Sequence, residues 1–292
     1  MNRKTWLSAI SLTLAIAMVA GLLAVLAKGN FSWGPPEVPK AQCEALTALT
    51  SSPAMKVASS LVYRERVANA IVREPQNTWS NLAFVFVGAL IWMHDRRTFA
   101  RLLGAAMIAL GLASGLYHAS LLPSWRTVDV ATMGWVSFAL CCHGYSSARR
   151  GHAIGTASEL WIGATGGVLA MTAAFLRNNV RIAGVKPFDT TYTTIAGIGG
   201  IFALAVVGIV RAIRMHPQVR LPVARLAVLG LVVALAVFCQ LNDRAGRCLC
   251  APEGIVQAHA LWHVLMAYAV GLAYDLFALI EGRSRLGHLT ST

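Results

Sequence analysis

VQAHALWHVLMAYAVGLAYDLFALI, residues 256–280, is apolar almost throughout and carries two histidines near its start. As an α-helix, a run of this length rises roughly 37 Å, enough to cross a hydrocarbon core of about 30 Å. His259 and His263 are four residues apart, so they lie one turn apart on one face. That spacing lets two imidazoles grip one metal ion, as in helical zinc sites. It also suits two hydrogen-bonded or interfacial histidines, so the pair needs company elsewhere in the chain. A histidine inside a span is costly, which marks it for function.

The chain of 292 residues is 57% hydrophobic and 13% charged, and runs of about 20 apolar residues recur. These features predict an all-α, polytopic transmembrane bundle, with a seven-span core and one extra N-terminal apolar segment. No loop is long enough for a second core. The formal charge of +13 would suggest nucleic acid in a soluble protein. Here the arginines cluster in short loops beside the spans, which points to membrane orientation and anionic headgroups instead.

Residues 1–27 form a basic start followed by an apolar run from Trp6 to Ala27. The run is longer than a usual signal-peptide core of about 7 to 15 residues, which favours an uncleaved span. Cleavage after Val25-Leu-Ala27 is the alternative. Residues 28–76 make a polar extracytoplasmic segment, with an amphipathic helix near Val57–Val72 expected on the membrane surface. The seven core spans, within residues 77–280, fall near Asn77–Trp92, Phe99–Leu121, Thr127–Tyr145, Ala157–Leu176, Tyr192–Ile213, Leu221–Leu241 and Val256–Ile280. Gly111, Gly115, Gly163, Gly167, Gly197 and Gly200 are expected at close helix contacts. Residues 281–292 are a tail. Arg96, Arg97, Arg101, Arg149, Arg150, Arg211, Arg214, Arg283 and Arg285 fall on one side of this alternating topology, so that side and the C-terminus are read as cytoplasmic. The membrane is a bacterial inner membrane or an endomembrane.

In this topology His118 lies at the outer end of the second core span. Asp129 starts the next span, across the short turn Leu122-Pro-Ser-Trp-Arg126. Three histidines and a carboxylate therefore meet at one depth. Three neutral imidazoles with an open position describe a catalytic zinc site, in which a bound water has its pKa lowered to about 7. Asp129 is the natural group to orient that water and take its proton. As a first-turn residue, it also fits a role at a helix N-terminus. Ser114 precedes His118 by one turn and is placed either to bond an oxyanion or to pack between helices. His94, His143, His152, His216 and His288 are expected at or beyond the cytoplasmic ends, solvated or interfacial.

Ser114-x3-His118, Asp129 eleven residues later and His259-x3-His263 on the last span together resemble the alkaline ceramidase family, part of the seven-helix group that includes the progestin and adiponectin receptors. The stretch Glu74-Pro-Gln-Asn77-Thr-Trp-Ser80-Asn81-Leu82 is similar to the family's sequence before its first span. The resemblance covers roughly residues 42–280. It implies zinc held by His118, His259 and His263, with Asp129 handling the catalytic water and Ser114 assisting at the oxyanion. It also implies cleavage of ceramide, a membrane lipid substrate, to sphingoid base and fatty acid. Glu44 and Glu74 match two of the family's calcium ligands, so calcium is a second candidate ion. They are about thirty residues apart, wider than the family interval, and two carboxylates fall short of the six to eight oxygens calcium takes.

Cys43, Cys248 and Cys250 are placed on the outer side, where an oxidising compartment would let Cys43 pair with either of the other two. Cys141, Cys142 and Cys239 read as packing residues. Asp243 resembles a family aspartate at the end of its span, and reads otherwise as a solvated loop charge. Hydrolysis of another lipid amide or ester, and a receptor-like protein with structural zinc, are the alternative functions. An apolar lining between spans would suit a lipid tail entering sideways from the bilayer.

Overall fold

The computed structural model describes residues 71–148, 161, 163–169, 171–172, 223–243, 249 and 256–280. Among these residues the fold is entirely helical. Its elements are α1 (Pro75–Ser80), α2 (Leu82–His94), α3 (Thr98–Ser120), α4 (Pro123–Ala148), α5 (Val223–Asn242) and α6 (Ala258–Ile280). Among the described residues, three helices are long and apolar enough to cross a membrane: Thr98–Ser120, Val223–Asn242 and Ala258–Ala278. The first segment 1–27, the span expected near Tyr192–Ile213 and the tail lie outside the described residues, as does half of the span expected near Ala157–Leu176, whose described residues are helical.

The span expected at Asn77–Trp92 is broken in two at Asn81. The reason is local. The Asn77 carbonyl, which would serve the continuing helix, accepts from Asn81 Nδ2 at 2.7 Å and from Ser80 Oγ at 3.0 Å. Asn and Ser side chains compete with the backbone in this way and end helices. The result is a one-and-a-half-turn helix, α1, set off from α2.

The turn expected over Leu122–Arg126 is also shorter than its sequence suggests. Leu121 takes a left-handed conformation at φ 51°, and α4 begins at once with Pro123. Proline suits the first helical turn, since it lacks an N–H that would have no partner there. Asp129 therefore sits in the second turn of α4, not the first.

The helices meet around Leu103, Met107, Leu140, Leu276 and Phe277, each buried. Where α2 crosses α3, Gly88 and Gly104 face each other. A Cβ on either would lie 2.7 Å from the other's carbonyl oxygen. Gly111 is equally tight, with Asn81 O at 2.8 Å from its would-be Cβ, whereas Gly115 has only ordinary contacts. Close crossings of this kind are the usual use of small residues in membrane helices. Cys239 packs with Ala236, Ala258 and Trp262, as a packing residue should.

Candidate functional site

The end of α3 is finished by the segment before α1. Arg73 N–H donates to Ala119 O and Glu74 N–H to His118 O, each at 3.1 Å, while the Arg73 guanidinium donates to Ser120 O. These bonds occupy carbonyls that a helix C-terminus leaves without intrahelical partners. A cation there also complements the helix dipole. The consequence is positional: Glu74 is fixed beside His118 by main chain as well as side chain.

His118 in the last turn of α3, and His259 and His263 in the first turns of α6, converge. Their ring centroids are 5.0 Å apart for His118 and His259, 5.1 Å for His118 and His263, and 4.6 Å for His259 and His263. One ligand atom from each lies within 4.8 Å of the others. All three are buried, with His118 and His263 each only 1% exposed. The Nε2 atom of His263 is buried with no hydrogen-bond partner in the described structure. An orphaned imidazole nitrogen aimed among two others is costly unless something fills the space. A metal ion meets that need, and the three histidines could hold one.

Each histidine has a polar group at its other nitrogen. His118 Nδ1 lies 2.5 Å from Glu74 Oε2, and His263 Nδ1 lies 2.8 Å from Ser80 Oγ. His259 Nδ1 is 3.3 Å from Asp243 Oδ2, at ion-pair distance but not aligned as a hydrogen bond. Asp243 is buried, which corrects the reading of it as a solvated loop charge. Trp262 stacks on the His259 ring at 5.3 Å.

Asp129 and Ser114 are both buried. The Ser114 hydroxyl hydrogen-bonds the Asp129 carboxylate, and His118 and His259 are within electrostatic reach of it. Asp129 Oδ1 is buried and has no hydrogen-bond partner. Dipole stabilisation fades beyond the first turn, so the second-turn position of Asp129 leaves the histidines as its main electrostatic partners.

Thus His118, His259, His263, Asp129 and Ser114 come together. Glu74 joins them through His118, while its expected calcium partner Glu44 lies outside the described residues. Cys43, Cys248 and Cys250 lie outside them too. His94 is exposed at the far end of α2, as expected of a solvated or interfacial histidine. Sequence reasoning overlooked Ser80 as a partner of His263. Its presence in the quoted Glu74–Leu82 stretch was the available signal.

No curated protein matches the chain. The family description Ceramidase matches residues 65–285, which include every histidine and carboxylate of the assembled site. With that match spanning well over half of its length, the chain belongs to the ceramidase family.

Proposed function

We propose that the protein is a zinc-dependent intramembrane amide hydrolase that cleaves ceramide to a sphingoid base and a fatty acid. The observation that carries this reading is the buried histidine triad with the Asp129–Ser114 pair beside it. Among the described residues no fourth His, Cys, Asp or Glu joins the triad. A structural zinc would want that fourth ligand, whereas a catalytic one leaves a position open.

His118, His259 and His263 would hold the ion. When bound, zinc supplies Lewis acidity, polarising a carbonyl oxygen and making a nearby water acidic. The remaining chemistry falls to side chains. Asp129 accepts a proton from the attacking water as its oxygen bonds to the amide carbon. Protonation of Asp129 weakens its hold on Ser114, whose hydroxyl is then free to donate to the developing oxyanion. As the C–N bond breaks, Asp129 returns the proton to the departing amine nitrogen. Glu74 keeps Oε1 without a hydrogen-bond partner among the described residues, and Glu74 would be one carboxylate available to a calcium ion.

The site lies where α3 ends and α6 begins. In a seven-span core with a cytoplasmic C-terminus, that is the extracytoplasmic side. A lipid would enter sideways, with its acyl chain between helices and its amide at the polar rim. The deciding experiment is fatty-acid release from a ceramide panel by detergent-purified protein, before and after metal chelation, with zinc content measured in parallel. Zinc-dependent release supports the proposal. Zinc-loaded, folded protein inert toward every ceramide, yet active on another lipid amide or ester, would reassign the substrate. Inertness toward all of them would favour a receptor-like role.

A further inference from the structure

We infer that the short turn Glu74–Ser80 is a tautomer-setting element, with Glu74 and Ser80 acting as positioning residues that keep the proton of His118 and His263 on Nδ1 and leave both Nε2 lone pairs for the metal. The inference rests on the proposed metal site and adds the residues that prepare it.

Ser80 has one hydroxyl proton and two close neighbours: the Asn77 carbonyl at 3.0 Å and His263 Nδ1 at 2.8 Å. A carbonyl can only accept. The proton therefore points to Asn77 O, and Ser80 Oγ presents a lone pair to His263. To bond that lone pair, His263 must carry its proton on Nδ1, and the same turn adds a hydrogen bond between the Asn77 main chain and the His263 ring. Its other nitrogen, Nε2, is then an unprotonated acceptor, and it is the atom left buried without a partner. The His118 case is simpler. An ionised carboxylate can only accept, so Glu74 Oε2 at 2.5 Å holds the proton on His118 Nδ1.

The same turn supports both contacts. Asn77 donates its side-chain amide to Glu74 Oε2 at 3.3 Å, and its carbonyl receives the Ser80 proton. Asn81 Nδ2 donates to that carbonyl as well. Glu74, Asn77 and Ser80 recur every three residues, so one short helix presents all three to the two histidines. The break between α1 and α2 follows from the same bonds: the Asn77 carbonyl that fixes Ser80 is the one withdrawn from the helix. Partners behind metal-ligating histidines fix ring orientation and tautomer, and their loss commonly weakens metal binding 10- to 100-fold.

The test is zinc affinity of the full-length, detergent-purified protein, stripped and then titrated against a chromogenic chelator. Ser80→Ala should weaken zinc binding about 10- to 100-fold, and Ser80→Thr, which keeps the hydroxyl, should restore it. Glu74→Gln should fall between wild type and Glu74→Ala, since the amide oxygen still accepts but without charge. Thermal unfolding of the stripped proteins shows whether each variant folds. Ser80→Ala removes a single oxygen from a half-buried residue, so it decides the question even where Glu74→Ala misfolds. Folded Ser80→Ala and Glu74→Gln with wild-type zinc affinity would overturn the inference. Failure of the wild type itself to bind zinc would overturn the metal-site reading first, a separate result.

Discussion

The two ends of the helical bundle handle polar side chains in opposite ways. At one end Asp95, just past α2, has both carboxylate oxygens occupied. Arg97 N–H donates to Oδ1 at 2.9 Å, while Arg97 Nε at 2.7 Å, Arg97 Nη2 and the Tyr274 hydroxyl at 2.6 Å all donate to Oδ2. At the other end Asp129 Oδ1, Asp243 Oδ1 and His263 Nε2 are buried with no hydrogen-bond partner among the described residues. A satisfied ion pair ties α2, α3 and α6 together. An unsatisfied cluster costs stability, and a protein keeps such a cluster only where something else is to bind.

The largest expected effect tests that contrast directly. His263→Ala should abolish metal-dependent ceramide turnover, lowering it by about a thousandfold or more, since each tenfold is roughly 1.4 kcal/mol of transition-state stabilisation and metal assistance supplies several kcal/mol. His94→Ala, at the satisfied end, should leave turnover unchanged. Kinetics on the purified proteins, with zinc content measured in parallel, checks both. Equal losses in the two variants would mean that the histidine triad has no special part in turnover.

Next in size is Asp129→Asn. The amide keeps the shape but cannot take up a proton, so turnover should fall about 10²- to 10⁴-fold. Zinc content should remain at the wild-type level, because Asp129 is not one of the three histidines. A variant that lost its zinc instead would make Asp129 a ligand and sharpen the contrast differently, by closing the open position.

The triad was legible in the sequence because helical periodicity is robust: His259 and His263 share a face whatever surrounds them. His118 and Asp129 were brought to the same depth by alternating topology alone. What stayed hidden depends on short-range hydrogen bonding. Nothing in periodicity says that Asn77 O will be taken by Ser80 and Asn81, so the α1–α2 break was invisible, and with it the placement of Ser80 against His263. The turn after α3 uses Leu121 at positive φ, a conformation normally given to glycine, so residue preference pointed elsewhere. Glu74 was noticed for its sequence context, but its contact with His118 needs the fold.

A smaller effect is expected where α2 crosses α3, between the two ends. Gly104→Ala would put a Cβ 2.7 Å from Gly88 O and 3.0 Å from Trp92 Cβ. The first of these is backbone, so the helices must separate. Overpacking of this kind costs about 1 to 3 kcal/mol. Thermal unfolding in detergent should show the loss, while turnover per folded molecule changes little. A large drop in turnover at unchanged stability would mean that the crossing transmits strain to the histidines, and that the two ends are not independent.

The smallest effect concerns the satisfied end itself. Burial alone would raise the pKa of Asp95, but hydrogen bonds from Arg97 and Tyr274 outweigh it and bring the pKa down to about 2. An unfolded aspartate titrates near 3.9. Because the folded value is the lower one, the stabilisation is complete above about pH 4 and drains away as the pH falls towards 2. Asp95→Asn should therefore cost stability at neutral pH, by about 1 kcal/mol given the partial solvent screening of the cluster. It should also remove that part of the acid dependence. Unfolding midpoints of wild type and variant, compared from neutral pH down to about pH 2, should converge as Asp95 is protonated. Zinc affinity should be the same in both, since nothing at this end touches the triad. Midpoints that stay equally separated down to the lowest pH would show that the charge on Asp95 is not what holds this end together.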